Sequence, residues 1–357
     1  MIIIHAVLGA NYGGVGSVLR LLINEQIKEH KIHIICPDTY DNKAAFKELE
    51  GVEIHYVKNY KIKGETLLFG LPIKKIYKRI SKDNPGEKTI VHAHTPASLG
   101  LFRNITKMHA VLTLHGIGRL NSKISGFLNN MIVKKANHSG VKLFAVCKHT
   151  ADYFCKTANI KHIDVIYNGV DSFSRTVNHD RFTILFAAGL LDELKGWIFV
   201  KEAFEIIRKR GYDIKMKVAG NSPNELKDDL EVMKEKYGDS FEYLGYVKDI
   251  GKNLMQYVDL LIMPSRIEGF PMIILEALSS GMPVLATRVG GIPEMLSDGE
   301  NGFFIQRDSK DIAEKIISIY EDEKLYEQLK ESAYNSYTNK FKSEKMTNAY
   351  IKAYKEY

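Results

Sequence analysis

Residues 264–278 read Pro-Ser-Arg-Ile-Glu-Gly-Phe-Pro-Met-Ile-Ile-Leu-Glu-Ala-Leu and contain two glutamates, Glu268 and Glu276, with seven residues between them. Pro271 is favoured as the first residue of a helix, because its fixed φ suits that position and its missing N–H removes no hydrogen bond there. Gly281 is favoured just beyond a helix end. The sequence therefore predicts a helix that begins at Pro271 and is terminated by Gly281.

The two glutamates are expected to lie in different surroundings. Glu276 lies more than one turn into a helix that is apolar nearly all round, which is typical of a buried helix. A lone carboxylate on such a helix is costly unless another group bonds to it. Glu268 precedes the helix, beside backbone N–H groups that favour anions such as phosphate. Together they predict a pocket for a polyhydroxylated, phosphorylated ligand.

Length and composition limit the class of protein. A chain of 357 residues exceeds what one hydrophobic core usually supports, so two domains are expected. Cys36, Cys147 and Cys155 are odd in number and lack Cys-x-x-Cys spacing, which argues for a reducing compartment and against a disulfide framework or a zinc site. Residues 1–8 read as a buried first strand, and no apolar run is long enough to span a bilayer. We therefore expect a cytoplasmic protein.

Charge is distributed unevenly. Residues 1–178 carry 25 Lys and Arg against 13 Asp and Glu, whereas residues 179–357 carry 25 against 30. Two interpretations of the basic first half stay open, namely an ordinary solvated surface and peripheral contact with anionic lipid headgroups at the inner membrane face. A nucleic-acid partner is not expected, because no recognised nucleic-acid motif accompanies the charge.

Short β-branched runs alternate with helical segments through the whole chain. The predicted strands are Ile2–Leu8, Lys31–Cys36, Val52–Val57, Thr89–His94, Ala110–Leu114, Val141–Val146, Ile163–Ile166, Phe182–Ala187, Ile214–Val218, Phe241–Leu244, Leu260–Met263, Val284–Ala286 and Gly302–Ile305. Continuous apolar strands that alternate with helices indicate parallel sheets covered on both faces. The fold class is therefore α/β.

The alternation restarts after the turn-rich residues 168–174, which predicts a linker between two doubly wound domains. We place the domains at 1–172 and 180–340 and expect a C-terminal helix at about 341–357 to pack back onto the first. Ligands bind such folds at the carboxyl ends of the strands, so the predicted active site is the cleft between the domains.

The order of these pieces resembles the GT-B glycosyltransferases, in particular the family-4-like retaining enzymes (glycosyl transferases group 1) that use nucleotide-sugar donors. The resemblance covers nearly the whole chain and is strongest from Gly245 to Ile305. Besides the Glu-x7-Glu segment it rests on Gly-Met-Pro-Val-Leu-Ala-Thr at 281–287, Gly-Gly-Ile-Pro-Glu at 290–294 and Tyr-Asn-Gly-Val-Asp at 167–171. It implies two Rossmann-like domains, of which the first binds the acceptor and the second binds the donor.

The resemblance assigns roles to the two glutamates. It implies that Glu268 contacts the donor sugar hydroxyls and that Glu276 holds the ribose hydroxyls, since a carboxylate can accept bonds from two vicinal hydroxyls. The N–H groups around Gly269 and Phe270, and the helix start as far as Met272, are expected to meet the diphosphate. The structural alternatives are a buried Glu276 paired with a lysine and a Glu268 that only favours the helix dipole.

The first half contributes Gly14, Gly16 and His115. Gly13-Gly14-Val15-Gly16 follows the first strand and is expected to open a helix at Ser17, where glycines let the backbone approach a diphosphate or a sugar. Without the resemblance, a tight turn explains this segment equally well. The resemblance implies that Gly14 lies beside the sugars, and we include Gly16 in the donor site. His115 follows a strand and is expected to contact the donor sugar near the reacting centre.

His92 and His94 end another strand and point to the same side of it. No third ligand has a suitable spacing, so no metal site is predicted there. The chain also lacks Asp-x-Asp, the motif that metal-dependent GT-A transferases need. We therefore expect no metal and no other cofactor.

Lys195 lies in Gly-Leu-Leu-Asp-Glu-Leu-Lys-Gly at 189–196, which resembles an element in which an arginine and a lysine neutralise the departing diphosphate. Lys195 matches the lysine, but Leu190 stands where the arginine is expected. By motif proximity the substitute cations are Arg119, Arg266 and Arg288.

The resemblance implies a metal-independent retaining glycosyltransferase that moves a sugar, most simply from a UDP-sugar, to a glycan or lipid-linked acceptor in cell-surface polysaccharide assembly. Glu268, His115 and Lys195 are its predicted catalytic residues. Two alternatives stay open. One is a GT-B epimerase or phosphorylase, and the other, motivated by Leu190, is a weakly active nucleotide-sugar-binding partner subunit.

Overall fold

The computed structural model describes residues 1–9, 14–47, 49–58, 70–99, 108–117, 123–173 and 180–357. The chain divides into two compact units. The first contains Met1–Asn168 together with Ser343–Tyr357, and the second contains Gly169–Lys342.

The first unit is built on a seven-stranded parallel sheet of order β3-β2-β1-β4-β5-β6-β7. Its strands are β1 (Ile2–Ala6), β2 (Lys31–Pro37), β3 (Val52–Val57), β4 (Thr89–Ala93), β5 (His109–Leu114), β6 (Lys142–Ala145) and β7 (Asp164–Val165). The helices between them are α1 (Gly14–Gln26), α2 (Tyr40–Phe46), α3 (Gly70–Asp83), α4 (Pro96–Leu99), α5 (Lys123–His138) and α6 (Lys148–Ala158).

The second unit is built on a six-stranded parallel sheet of order β10-β9-β8-β11-β12-β13. Its strands are β8 (Thr183–Leu190), β9 (Lys215–Asn221), β10 (Phe241–Tyr243), β11 (Leu260–Met263), β12 (Val284–Ala286) and β13 (Gly302–Phe304). Its helices are α7 (Trp197–Lys209), α8 (Lys227–Tyr237), α9 (Ile250–Asn253), α10 (Met272–Ser279), α11 (Ile292–Met295), α12 (Ser309–Glu321) and α13 (Glu323–Lys340).

The last helix, α14 (Ser343–Lys355), belongs to the first unit. One face of the first sheet, which includes Ile4 and Val91, forms an apolar cluster with side chains of α3, α4, α5 and α6. The opposite face carries His5 and His92, which bond to side chains of α1 and α14. The sheet is therefore buried on both faces, and the second face contains a buried polar cluster around His5 and His92.

All thirteen predicted strands are present, and the predicted α/β fold class is confirmed. Most strand ends agree within two residues, although β8 extends to Leu190 rather than stopping at Ala187. Leu190 still pairs with Asn221 of β9 after a register shift that follows Ala187, and local sequence pattern does not reveal such a shift. Within the described residues, no helix is both long and apolar enough to span a membrane.

Two predicted helix starts are wrong, that of α10 by one residue and that of α1 by three. The helix α10 begins at Met272, because Pro271 has a helical φ of −70° but an extended ψ of 120° and acts as the N-cap. The helix α1 begins at Gly14 rather than at Ser17, so Gly14 and Gly16 lie inside its first turn. The predicted C-terminus of α10 is confirmed, since Gly281 has a φ of +70° and Met282 N–H donates to the Ala277 carbonyl at 2.8 Å.

Candidate active site

Lys195 and Glu268 form an ion pair in the second unit. Lys195 Nζ lies 2.5 Å from Glu268 Oε1, and the two side chains are only 22% and 10% exposed. Lys195 follows β8 and Glu268 follows β11, and these strands are parallel neighbours. Because parallel neighbours end at the same edge of a sheet, their loops meet there. The fold thus brings together two of the three side chains that the sequence predicted as catalytic.

The two loops are joined through their backbones as well as through this ion pair. Arg266 N–H donates to the Leu194 carbonyl oxygen at 2.7 Å. Leu194 directly precedes Lys195, and Arg266 lies two residues before Glu268. This bond fixes the separation of the loops independently of the charged side chains.

Arg307 is a residue of this site that sequence reasoning missed. Its guanidinium donates to the Leu194 carbonyl at 3.0 Å, to the Glu193 carbonyl at 2.8 Å and to the Pro264 carbonyl at 3.2 Å. It therefore ties both loops to the segment between β13 and α12. No motif surrounds Arg307 in the sequence, and its partners are backbone atoms more than 40 residues away, so local pattern could not have found it.

Gly290 lies directly against the backbone of the loop that contains Glu268. Its φ of +56° is left-handed, and a Cβ on it would overlap the carbonyl oxygen of Glu268. The neighbouring Gly291 N–H donates to the Gly269 carbonyl at 2.7 Å. The Gly-Gly pair thus lets a second backbone lie directly against the segment that contains Glu268.

We expect Gly290→Ala to abolish sugar transfer and to lower the melting temperature of the second unit. The substitution combines the strain of a left-handed alanine, about 1–3 kcal/mol, with a backbone overlap that displaces Glu268. Gly299→Ala is the matched control, because Gly299 also has a positive φ of +77° but its nearest neighbour to an added Cβ is a Phe303 ring atom at 3.8 Å. Thermal unfolding and transfer assays on both variants check this; equal loss in the two would contradict it.

Glu276 lies on α10 as predicted, and its side chain is partly buried. Burial, together with a smaller contribution from the nearby charge of Asp249, raises the pKa of this carboxyl to about 7. Within the described ranges no side chain or N–H bonds to the carboxylate, so the lysine partner of the structural alternative is not found there. The group is thus in an environment that an incoming hydrogen-bond donor would stabilise.

The first turn of α10 begins at Met272, one residue later than expected, and its N–H groups have no acceptor within the helix. Gly269 and Phe270 lie in the loop just before it, and Phe270 is buried. The predicted diphosphate-binding segment therefore consists of a loop followed by a helix start.

Leu190 ends β8, and 42% of its surface is exposed. Among the substitute cations, Arg266 lies beside the Lys195 loop through its backbone bond to Leu194. Arg288 stacks its guanidinium on the Phe304 ring at 3.7 Å, and Arg119 is outside the described residues. Arg266 is thus the candidate that the fold attaches to the Lys195 loop.

In the first unit, His115 follows β5 and is partly exposed. Its Nε2 lies 3.1 Å from His94 Nδ1, and burial lowers its pKa to about 4. Gly16 is buried in the first turn of α1, whereas Gly14 is exposed. Gly13 is outside the described residues.

A third histidine, His5, lies beside His92 and His94, although no spacing in the sequence indicates it. Parallel pairing of β1 with β4 sets His5 opposite His92, and ligand atoms of His5, His92 and His94 lie within 4.8 Å of one another. All six ring nitrogens of the trio, however, already have hydrogen-bond partners. A metal ion would have to displace those bonds, so we interpret the trio as a hydrogen-bonded cluster.

His33, Glu53 and His55 form a second group whose ligand atoms lie within 4.8 Å. The guanidinium of Arg79 lies 3.4 Å from His55 Nδ1, and this positive charge opposes a cation. Metal independence itself stays a prediction.

Comparison with known proteins identifies the family. Residues 170–336 match the family described as Glycosyl transferases group 1, and residues 12–172 match Glycosyltransferase Family 4. The fold superimposes on Anabaena Alr3699/HepE, solved in complex with UDP, with a TM-score of 0.81 and 18% identity over 100% of both chains. The chain belongs to the family-4-like GT-B glycosyltransferases. It is therefore a glycosyl-transferring enzyme (EC 2.4).

The relatives of this glycosyltransferase differ in how much of the chain they match. It is 28% identical over 350 residues to the uncharacterized glycosyltransferase MJ1178 of Methanocaldococcus jannaschii, covering 96% of this chain and 95% of that one. It is 33% identical over 184 residues to the D-inositol 3-phosphate glycosyltransferase of Paenarthrobacter aurescens, which covers 46% of this chain and 45% of the relative.

Proposed function

We propose that this enzyme transfers a sugar from a UDP-sugar to a glycan or lipid-linked acceptor, with retention of configuration, in the assembly of a cell-surface polysaccharide or glycolipid. The observation that carries the proposal is the Lys195–Glu268 ion pair at the carboxyl edge of the second sheet. The names of similar proteins support the substrate class, since one solved neighbour is a complex with UDP-glucose and one relative acts in capsular polysaccharide biosynthesis.

In the proposed donor complex, the ribose hydroxyls donate to the Glu276 carboxylate, which lacks a partner within the described part of the chain. The diphosphate lies against the first turn of α10 and accepts bonds from Lys195 Nζ, which has three N–H donors and uses one on Glu268. The second oxygen of Glu268 then accepts from a hydroxyl of the sugar. Glu268 thus has two tasks, because it orients Lys195 and binds the sugar.

The proposed reaction needs no nucleophile from the protein. The acceptor oxygen forms a bond to the anomeric carbon from the same face on which the bond to the phosphate oxygen breaks, and that phosphate oxygen takes the acceptor's proton. Lys195 and the α10 N–H groups stabilise the negative charge that develops on the leaving diphosphate. Gly14, Gly16 and His115 keep the roles that the family resemblance implies for them, and the first unit binds the acceptor.

A thermal-shift series tests the donor class directly. A ligand at a hundred times its dissociation constant stabilises the native state by about 2.7 kcal/mol, so UDP and UDP-sugars should raise the melting temperature more than ADP and GDP do. Transfer to a lipid-linked acceptor should then proceed in EDTA, and NMR of the product should show the donor's anomeric configuration. Absence of any shift with every nucleotide would contradict the proposal.

Donor affinity should depend on pH through Glu276. Its carboxyl has a pKa raised to about 7, and only the ionised form accepts bonds from both ribose hydroxyls. Acidification therefore weakens binding, by about fivefold between pH 7 and pH 6, because the ionised fraction falls by that factor. Calorimetry with UDP-glucose checks this, since its diphosphate, unlike that of UDP, has no terminal monoester group that titrates near neutral pH.

Glu276→Gln is the control for that measurement. It should bind UDP-glucose more weakly than the native protein does at pH 8 and should show a flat pH dependence. Glu276→Ala should likewise weaken nucleotide binding more than it lowers turnover. An unchanged pH slope in Glu276→Gln would assign the dependence to another group.

A weakly active partner subunit is the second candidate, and the exposed Leu190 in place of an arginine favours it. That reading predicts binding of UDP-sugars by calorimetry without turnover. It also predicts that Leu190→Arg does not rescue transfer, so recovery of transfer in that variant would contradict it. Conversion of a UDP-sugar without any acceptor would indicate an epimerase instead, and a bound pyridoxal group would indicate a phosphorylase.

We also propose peripheral contact with the inner membrane face through α3. Ile73 and Ile80 are buried, whereas Lys75, Lys78 and Arg79 are exposed. Anionic lipid attracts each basic residue near its surface by about 1 kcal/mol. Co-sedimentation with anionic vesicles should therefore fall as salt rises, and lack of binding at every salt concentration would count against the contact.

A further inference from the structure

A chain of hydrogen bonds runs along the face of the first sheet that carries His5 and His92, and it ends at His115. Its members, in order, are Tyr350, Thr113, His92, Tyr354, Gln26, His5, His94 and His115, and successive polar atoms are 2.9, 2.8, 2.6, 3.4, 2.8, 3.0 and 3.1 Å apart. Every member except His115 is at most 1% exposed. This row of hydrogen bonds therefore connects the buried interior of the first unit to the partly exposed imidazole of His115.

The hydrogen bonds of this row all run in one donor-to-acceptor direction, because the histidines in it are neutral. Burial lowers the pKa of His5 to about 4 and that of His94 well below its usual range. A neutral imidazole carries one N–H and one lone pair, so it must accept on one side and donate on the other. Each histidine thus passes the direction of its bond on to the next.

Gln26 sets that direction. Its amide nitrogen donates to the Tyr354 hydroxyl, which leaves the amide oxygen to accept from His5 Nε2. His5 Nδ1 is then a bare acceptor and takes the proton of His94 Nε2–H, and His94 Nδ1 in turn accepts from His115 Nε2–H. His115 therefore has its hydrogen on Nε2 and a bare lone pair on Nδ1.

We propose that Gln26, His5 and His94 are positioning residues that hold His115 in the neutral Nε2–H tautomer, so that its Nδ1 accepts a hydrogen bond from a substrate hydroxyl and rejects a carboxylate. The inference rests on the proposed function in that His115 meets a sugar. It deepens that function by specifying the group opposite His115, namely a hydroxyl, as in a hexose, rather than the carboxylate of a hexuronic acid.

The donor-to-acceptor direction of these hydrogen bonds cannot be reversed at one residue alone. Turning one member alone would set two N–H groups or two lone pairs against each other in a buried place, and an unsatisfied buried polar group is strongly unfavourable. Only a concerted reversal of all the members, including the Gln26 amide, keeps every bond. The tautomer of His115 is thus fixed through His94 by His5 and Gln26, which do not bond to His115 directly.

The experiment reads the tautomer directly and needs no enzyme activity. Long-range proton–nitrogen NMR on the full protein labelled with ¹⁵N-histidine distinguishes a bare ring nitrogen from a protonated one, and His115→Gln assigns the signals. Native His115 should show a bare Nδ1 from pH 8 to pH 6. Gln26→Leu should mix the two tautomers, whereas Gln26→Glu, which keeps an acceptor opposite His5, should restore the native pattern.

Kinetics supply the second readout. Gln26→Leu should lower kcat for a UDP-hexose about tenfold, the effect of one misdirected hydrogen bond, while the Kd for UDP stays within about twofold. The ratio of the transfer rate with UDP-glucose to that with UDP-glucuronate should fall in Gln26→Leu and should recover in Gln26→Glu.

Several outcomes would overturn the inference. They are a proton on Nδ1 of native His115, a tautomer that is unchanged in Gln26→Leu, and displacement of the His5 and His94 signals by stoichiometric Zn²⁺. If Gln26→Leu does not fold, the native spectrum and that of Gln26→Glu still decide the tautomer. If no UDP-sugar binds or reacts, the proposed function fails while the NMR result stands separately.

Discussion

Lys195→Ala is expected to lower kcat/KM for sugar transfer by about 10²–10³-fold, the range found when one electrostatic catalytic donor is removed. Lys195 follows a strand that ends in Leu190, where the family resemblance implies an arginine, and Lys195 is proposed to neutralise the leaving diphosphate. The substitution also leaves Glu268, which is only 10% exposed, without its partner at 2.5 Å. Steady-state kinetics with a UDP-sugar and a lipid-linked acceptor measure the loss.

Three further variants separate charge from structure. Lys195→Arg keeps the charge and should retain more activity than Lys195→Ala does. Glu268→Gln should lower kcat while UDP affinity changes little, because the glutamate is proposed to act on the sugar. The two residues share one ion pair, so the effects of Lys195→Ala and Glu268→Ala should not add in the double variant. Unchanged kinetics in both single variants would remove these residues from the active site.

The fold was largely predictable, because strands of parallel sheets are buried on both faces and appear as continuous apolar runs. Thus Leu260–Met263 and Val284–Ala286 were assigned with correct ends. The start of α10 was off by one residue, since a proline favours both the first helical position and the residue before it. Its ψ of 120°, which decides between the two, depends on the loop that contains Glu268.

Some site residues are revealed by a local sequence motif, whereas others depend on contacts between residues far apart in the sequence. Glu268, Glu276 and Lys195 each lie in a local motif, so the sequence singled them out. The ion pair between Lys195 and Glu268 joins residues 73 positions apart and follows only from the order of β8 and β11. Gln26 depends likewise on long-range packing, because its carbonyl reaches His5 on another element.

Lowering the pH from 8 to 5 is expected to lower the free energy of unfolding of the first unit by several kcal/mol. Burial lowers the pKa of His5 to about 4 and those of His92 and His94 well below their usual range, against 6.5 in the unfolded chain. Groups with a depressed folded pKa contribute full stability above about pH 6.5 and lose it as the unfolded chain takes up protons. His5, with a folded pKa of about 4, then accounts for a loss of about 2 kcal/mol at pH 5, and His92 and His94 lower the stability in the same direction.

A loss of several kcal/mol is a large part of the whole stability of an ordinary domain, about 5–15 kcal/mol, so the first unit should be much less stable at pH 5 than at pH 8. Hydrogen exchange with urea at pH 8, 6.5 and 5 measures the two units separately. His5→Gln should reduce the loss between pH 8 and pH 5 by about 2 kcal/mol, since one fewer proton is taken up. His162→Gln, at a side chain 77% exposed, should leave the loss unchanged. An equal pH dependence in His5→Gln and the native protein would show that His5 remains able to ionise in the folded state.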